Sequence, residues 1–342
     1  MLDQPGSPSE SSAMDENQPS PPADSAAVPP AAPEAAAPAD GAAPAEGTTP
    51  TPPARPVKAK KEKKEESWWD TIRFLLWLFL AAVVLRTFLF APFSIPSASM
   101  MPNLLVGDYL FVSKWSYGYS RYSFPFHPIN FDGRLLGGTP ERGDVVVFRH
   151  PGGDDWVKRV IGVPGDTVEV RDGVVILNGQ PIPRTQMAPF DLPVSPNSRC
   201  VTEREGFLPG AYAVRMTTDA NGEQHCLYPR YRETLPNGRS YEVLDQGATA
   251  PNMQADGTVM NADNPGHAFT VPAGQLFVMG DNRDDSLDSR FTVAQGGVGL
   301  LPIDNVLGRA TIGFWSTDGS ASWIKPWTWF SAARWSRIGH TY

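Results

Sequence analysis

Twenty residues, Ile72 to Ala91, form the one run in this 342-residue chain apolar enough to cross a bilayer, and they constrain everything on either side of them. Such a length spans about 30 Å of hydrocarbon as a helix. Only Arg73 and Arg86 interrupt it, each near enough to an end for its charged head to snorkel to the headgroups. Trp68, Trp69 and Phe90 suit the two interfaces. A buried helix of a soluble domain would keep a polar face, and Phe74 to Leu85 has none. A cleavable leader would sit nearer the N-terminus and be followed by small residues rather than prolines. Six basic residues (Arg55, Lys58, Lys60, Lys61, Lys63 and Lys64) precede the run, and none lies in the twenty residues after Pro92. The charge asymmetry predicts a cytoplasmic N-terminus and an outer location for everything past Pro92.

The segment before the span cannot fold on its own. Residues 1–54 contain 14 alanines, 13 prolines, eight acidic residues and no basic one. So little apolar surface cannot offset the entropy of ordering the chain. The expected organisation is therefore a disordered Pro/Ala-rich tail with its basic run over 1–66 and a transmembrane helix over 67–91. A catalytic or binding core occupies 92–179 and 269–342, interrupted by a second domain over 180–268. That core reads as mainly β. Asp144–His150, Trp156–Gly162, Gln275–Met279 and Val306–Phe314 are short β-branched and aromatic runs. Thr167–Asn178 carries an Asp172-Gly173 turn signal at its middle. The inserted stretch is richer in Pro, Asn, Arg and Thr and holds both cysteines, Cys200 and Cys226, which in an oxidising compartment can pair. Five tryptophans between Trp315 and Trp335 fit either core packing or a belt at a lipid surface.

Several functions are excluded early. A net charge of −8 argues against nucleic acid. No nucleotide-binding loop, zinc-protease helix or G-x-S-x-G elbow occurs, and two cysteines cannot build a Cys-based zinc site. The acids of Gly280–Arg290 miss the calcium-loop register, with Thr292 where a bidentate Glu would stand. No cofactor and no metal is expected.

Three stretches can carry chemistry. Ser97 and Ser99 lie in an apolar strip between Pro96 and Pro102, as turn residues or as a nucleophile on a binding edge. Five histidines (His127, His150, His225, His267 and His340) are available as bases, none in a context suited to it. Lys158 alternates with Trp156 and Val160 on one face of its strand, while Arg159 shares the other with Val157 and Ile161. It is either a strand-edge lysine with its head in water or a desolvated base, which must lose much of its ordinary pKa near 10.4 to work at neutral pH. The third stretch, G-D-N-R-D-D-S-L-D-S-R over 280–290, reads as a polar loop placing Ser286 and Asp288 beside a functional group, its carboxylates held by Arg283 and Arg290. Ser322-Trp-Ile-Lys325 matches S-x-x-K without the elements that would give the match meaning.

Taken together, I-P-S-A-S-M-M-P-N-L with Gly107-Asp108, R-G-D-V-V-V-F at 142–148, V-K-R-V-I-G-V-P-G-D at 157–166 and the 280–290 loop resemble bacterial type I signal peptidase (leader peptidase). The blocks come in the family's order behind a transmembrane anchor. The resemblance implies an antiparallel β core with a smaller inserted domain and an acyl-enzyme serine endopeptidase. It implies Ser99 as nucleophile, Lys158 as general base and Ser97 as oxyanion donor. It further implies Ser286 as the residue orienting the lysine, Asp281, Asp288 and Arg290 as support, and Phe93, Ile95, Pro96, Met100, Leu104 and Val157 as walls of shallow substrate pockets. The partners implied are signal peptides of exported preproteins and membrane lipids, at the outer face of the bacterial cytoplasmic membrane. A peptidase dedicated to one secretion or conjugation substrate, or a non-enzymatic anchored β scaffold, are the rival readings. Two departures stand out: Asn103 replaces the family's usual threonine, and the chain offers one span where some members have two.

Overall fold

The structure is a computed structural model and describes residues 68–124, 131–171, 173–200, 214–246, 268–322 and 324–342. The tail, the basic run, His127, His267 and Trp323 lie outside the described residues. An α-helix, α1 (Trp68–Val84), runs through a π-helical turn at Leu85–Leu89, so that Trp68–Leu89 is helical over 22 residues, long and apolar enough to cross a membrane. No residue of α1 is buried. The helical stretch stops short of the expected Ala91 because Phe90–Ser94 is strand β1, paired residue for residue with β2 (Asp108–Ser113) from Phe90↔Ser113 to Ser94↔Tyr109.

The remaining strands in chain order are β3 (Val145–Arg149), β4 (Asp155–Gly162), β5 (Thr167–Arg171), β6 (Val174–Leu177), β7 (Gln180–Pro181), β8 (Arg184–Gln186), β9 (Phe190–Pro193), β10 (Arg215–Thr218), β11 (Gln224–Tyr228), β12 (Arg230–Thr234), β13 (Ser240–Leu244), β14 (Phe269–Thr270), β15 (Gln275–Met279), β16 (Leu301–Pro302) and β17 (Val306–Ser316). The mainly β, antiparallel class expected from the sequence is the class observed. Seven strands form the main sheet in the order β1-β2-β17-β3-β4-β15-β16. The hairpin β5-β6 leaves it for a four-stranded sheet with β7 and β14. The domain boundary drawn at residue 180 thus runs through this second sheet, between β6 and β7. Two three-stranded sheets, β10-β11-β9 and β13-β12-β8, hold the other described strands between residues 184 and 244.

Strand β4 is the inner support of the main sheet. It lies between β3 and β15, and its residues from Val157 to Gly162 are all buried. Both faces are covered. Val157 packs with Ile95, Met100, Leu104, Leu110 and Val147, whereas Val160 packs with Val146, Phe148, Leu276 and Val278, against which Trp156 leans. A third apolar cluster, Met101, Leu105, Leu192, Cys226, Tyr228 and Leu244, joins the strip after β1 to the inserted region.

Cys200 and Cys226 form a disulfide with Cα atoms 5.4 Å apart, closing a loop of 26 residues in sequence. A loop of that size restricts the unfolded chain enough to add roughly 2–4 kcal/mol to stability. Reduction, or a paired Cys200→Ser and Cys226→Ser change, is expected to lower the thermal midpoint by several degrees, read by circular dichroism. An unchanged midpoint would mean that the bond contributes nothing.

Of the described tryptophans in the C-terminal segment, Trp327 is 67% and Trp335 56% exposed, and Trp329 is exposed as well. These side chains are not core. A ribbon of aromatics also faces outward on the first strands, in which Phe90 contacts Phe111 and Trp115, and Phe111 stacks on Phe314 at 4.4 Å.

Candidate active site

Two loops meet over β4. The first, from Ile95 to Gly107, comes directly after β1 and carries Ser99 in a tight turn closed by Met101 N–H to Ala98 O at 3.1 Å and Leu104 N–H to Met100 O at 2.9 Å. The second begins at Gly280, directly after β15. Asn282 ties them together, donating its backbone N–H to Ser99 O at 3.0 Å and its side-chain amide to Ala98 O at 3.2 Å. Gly280 allows the approach. A Cβ there would lie 2.5 Å from both Ser286 Cβ and Ser99 O, and closer still to Ser286 Oγ.

Lys158 projects from β4 into this junction. Its Nζ donates to Ser99 Oγ at 2.8 Å, and both residues are buried. Burial lowers the Lys158 pKa to about 8, against the pull of Asp288 and Asp281 toward the charged form. The Trp156 ring centroid lies 5.3 Å from Nζ, on the strand face that alternation predicts. Ser97 is exposed, and its Oγ stands 3.4 Å from Ser99 Oγ. The Ser99 N–H has no hydrogen-bond partner among the described residues.

Asp288 organises the second loop. Its carboxylate accepts from Gly280 N–H (2.9 Å), Ser286 Oγ–H (2.8 Å) and the Arg290 guanidinium at Nε (2.9 Å) and Nη2 (3.0 Å). Burial alone would push this carboxyl up, but the Arg290 charge and these donors hold it below the usual carboxylate range. Ser286, expected to orient the lysine, gives its proton to Asp288 and makes no hydrogen bond to Lys158 among the described residues, its lone pairs remaining open. Arg283 also departs from expectation. It bonds Glu233, forming a buried pair, and leaves Asp288 to Arg290. Asp281 is buried and gripped by Arg159, Nε to Oδ1 at 2.8 Å and Nη2 to Oδ2 at 2.7 Å. Arg159 and Glu233 carry no sequence signal that marks them as site support. The exit of Arg159 from the face of β4 opposite to Lys158 is legible in the alternation; its partner 122 residues away is not.

Phe93, Ile95, Met100, Leu104 and Val157 converge in one apolar cluster beside the serine, and Pro96 is exposed at its rim. Met100 and Leu104 have no exposed surface, so they form a solid floor under the surface that Phe93 and Pro96 border. None of the three described histidines touches the pair: His150 stacks on Trp156 and bonds Gly297 O, His225 pairs with Asp191, and His340 is exposed. Lys325 of the S-x-x-K match is exposed as well.

The family model described as signal peptidase, peptidase S26, matches residues 68–315. The chain belongs to that family. It is therefore a serine peptidase by kinship. Among curated relatives, Signal peptidase I of Rickettsia typhi is 35% identical over 298 residues, covering 82% of this chain and 95% of the relative. That of Rickettsia prowazekii is 34% identical, with the same coverage. A crystal structure of a signal peptidase I from Enterococcus faecalis V583, 25% identical, aligns over 51% of this chain and 98% of its own with a TM-score of 0.25. The S26 match covers β1 through nearly all of β17 and stops before the aromatic C-terminal segment.

Proposed function

We propose that this S26 peptidase is anchored in the bacterial cytoplasmic membrane by Trp68–Leu89 and removes signal peptides from exported preproteins with a Ser99–Lys158 dyad. The observation that carries the reading is the 2.8 Å hydrogen bond between a buried lysine and a serine hydroxyl on an apolar edge. Neutral Lys158 takes the Ser99 proton as Oγ attacks the scissile carbonyl carbon. The Ser97 hydroxyl and the unused Ser99 N–H donate to the resulting oxyanion. Collapse breaks the C–N bond, and the Lys158 ammonium returns its proton to the leaving amine, leaving an ester on Ser99. Water, deprotonated by Lys158, hydrolyses that ester and frees the signal peptide. Ser286, its own proton committed to Asp288, keeps lone pairs with which to receive the lysine ammonium. The solid floor of Met100 and Leu104 favours small substrate side chains beside the cut, since a larger one would have to displace packed atoms.

Anchoring is supported by the apolar helix, in which no residue is buried, and by the exposed aromatics beyond it, which suit the lipid interface. The six basic residues before the helix favour a cytoplasmic N-terminus with the peptidase outside. Confinement to the same plane as the emerging substrate raises the effective concentration of the pair.

The test is cleavage of several unrelated preproteins by the detergent-solubilised full chain and its Ser99→Ala variant. Cleavage of all of them by the wild type and none by the variant is expected. Equal cleavage by Ser99→Ala would remove the mechanism, and cleavage of a single preprotein would favour a dedicated processing role. In the same assay Ser97→Ala should lower kcat roughly 10²–10³-fold, as loss of one oxyanion donor does elsewhere. A change below threefold would take Ser97 out of the oxyanion site.

A further inference from the structure

Asn103, where the resembling family carries threonine, is joined to the site from both ends. Its Nδ2 donates to Asp281 Oδ2 at 2.8 Å and to Glu242 O on β13 at 2.7 Å. A threonine hydroxyl has one proton and could serve only one of these acceptors. The Asn103 backbone carbonyl in turn accepts from Arg337 Nη2 at 2.7 Å, and the same nitrogen reaches Asp108 Oδ2 at 2.7 Å while Arg337 Nε meets Oδ1 at 3.1 Å. Asp108 is 2% exposed and closes the strip by accepting the Leu105 N–H at 2.8 Å. Arg334 adds a bond to Val106 O at 2.9 Å. The backbone between the serine and β2 is thus tied down at several points, and the outer ties come from a C-terminal segment beyond residue 315, where the family match ends.

We infer that Asn103, gripped at its carbonyl by Arg337, is a positioning residue for the Ser99 nucleophile; this rests on the Ser99–Lys158 reading above. Asn103 lies four residues past Ser99 and fastens the strip to Asp281, the neighbour of Gly280, so one amide links the loops that supply nucleophile and lysine support. The apolar floor is held by its own packing and does not depend on these bonds. Losing the clamp therefore disturbs the alignment of Oγ with Nζ more than it disturbs substrate binding.

The measurement is steady-state preprotein cleavage by the full chain in detergent, well below the thermal midpoint of each variant. Asn103→Ala and Arg337→Met are each expected to lower kcat roughly tenfold or more with KM within threefold, as small misplacements do. The double variant should be little worse than the more damaging single one, because both act through one turn. Asn103→Thr should recover part of the loss through its single donor. Unchanged kcat in both single variants, or a loss that merely tracks the folded fraction, overturns the inference. Ser99→Ala, run alongside, separates the two claims. If it is inactive while the clamp variants are normal, only the clamp fails; if it is active, the nucleophile assignment fails and the clamp with it.

Discussion

Replacing Lys158 with methionine is expected to abolish cleavage and to stabilise the fold at the same time. On the proposed dyad, loss of Lys158 should reduce kcat/KM by roughly 10³-fold or more. The stability effect has the opposite sign. Burial lowers the lysine pKa from 10.5 to about 8, so at neutral pH the folded state keeps an ammonium where it is poorly solvated. With each pKa unit worth about 1.4 kcal/mol, that penalty is up to about 3 kcal/mol, and a neutral side chain of similar length does not carry it. A pH dependence accompanies it. Between about pH 8 and 10.5 the unfolded chain binds more protons at this group than the native one, so its contribution to wild-type stability rises with pH there and is flat below. Activity shares the lower boundary: kcat/KM should rise about tenfold per pH unit on the acid side and level off above about pH 8, about one enzyme in ten carrying neutral lysine at pH 7. A methionine variant that melts below the wild type at pH 7, or an activity profile flat from about pH 6 to 9, would count against a desolvated lysine base.

Gly280→Ala should be nearly as damaging to turnover, through shape alone. Its Cβ would meet Ser286 Cβ and Ser99 O at 2.5 Å, inside any normal contact distance. Both neighbours are fixed, Ser286 by Asp288 and the Ser99 carbonyl by Asn282. Relief must come from shifting Ser286 within its own loop and moving the Ser99 turn off Gly280. Overpacking of this kind costs about 1–3 kcal/mol in stability. A displacement of about an ångström at Ser99 is expected to lower kcat about 10²-fold. Retention of more than a third of wild-type kcat would show that the two loops need not touch at this point.

Much of this arrangement is readable one residue at a time. Alternation along Trp156–Gly162 sets Lys158 with Trp156 and Val160, away from Val157 and Ile161, and the packing respects that division. The strand runs at 144–150, 156–162, 275–279 and 306–314 stand within a residue or two of the observed strands, because each is a buried β-branched run bounded by glycine or a turn. Pairing at long range is another matter. Glu233 takes Arg283, Asp281 takes Arg159, and Asn103 reaches Arg337 at the far end of the chain. Such partners are selected by the fold that brings distant carboxylates and guanidinium groups together, and nothing in their local spacing marks them. The helix end differs from the sequence expectation for a related reason. Phe90 and Ala91 are apolar enough to continue the span, but β2 offers them a backbone ladder instead.

The strip after β1 alternates its allegiance: Ile95, Met100 and Leu104 belong to the cluster under the main sheet, while Met101 and Leu105 belong to the one shared with the inserted region. It is a party wall between two cores, and it cannot swing without opening both. The Ser99 hydroxyl is therefore in place before any peptide arrives, and this strip has nothing left to order on binding. Discrimination between peptides then falls on fit against a rigid surface, with the conformational freedom all on the side of the substrate.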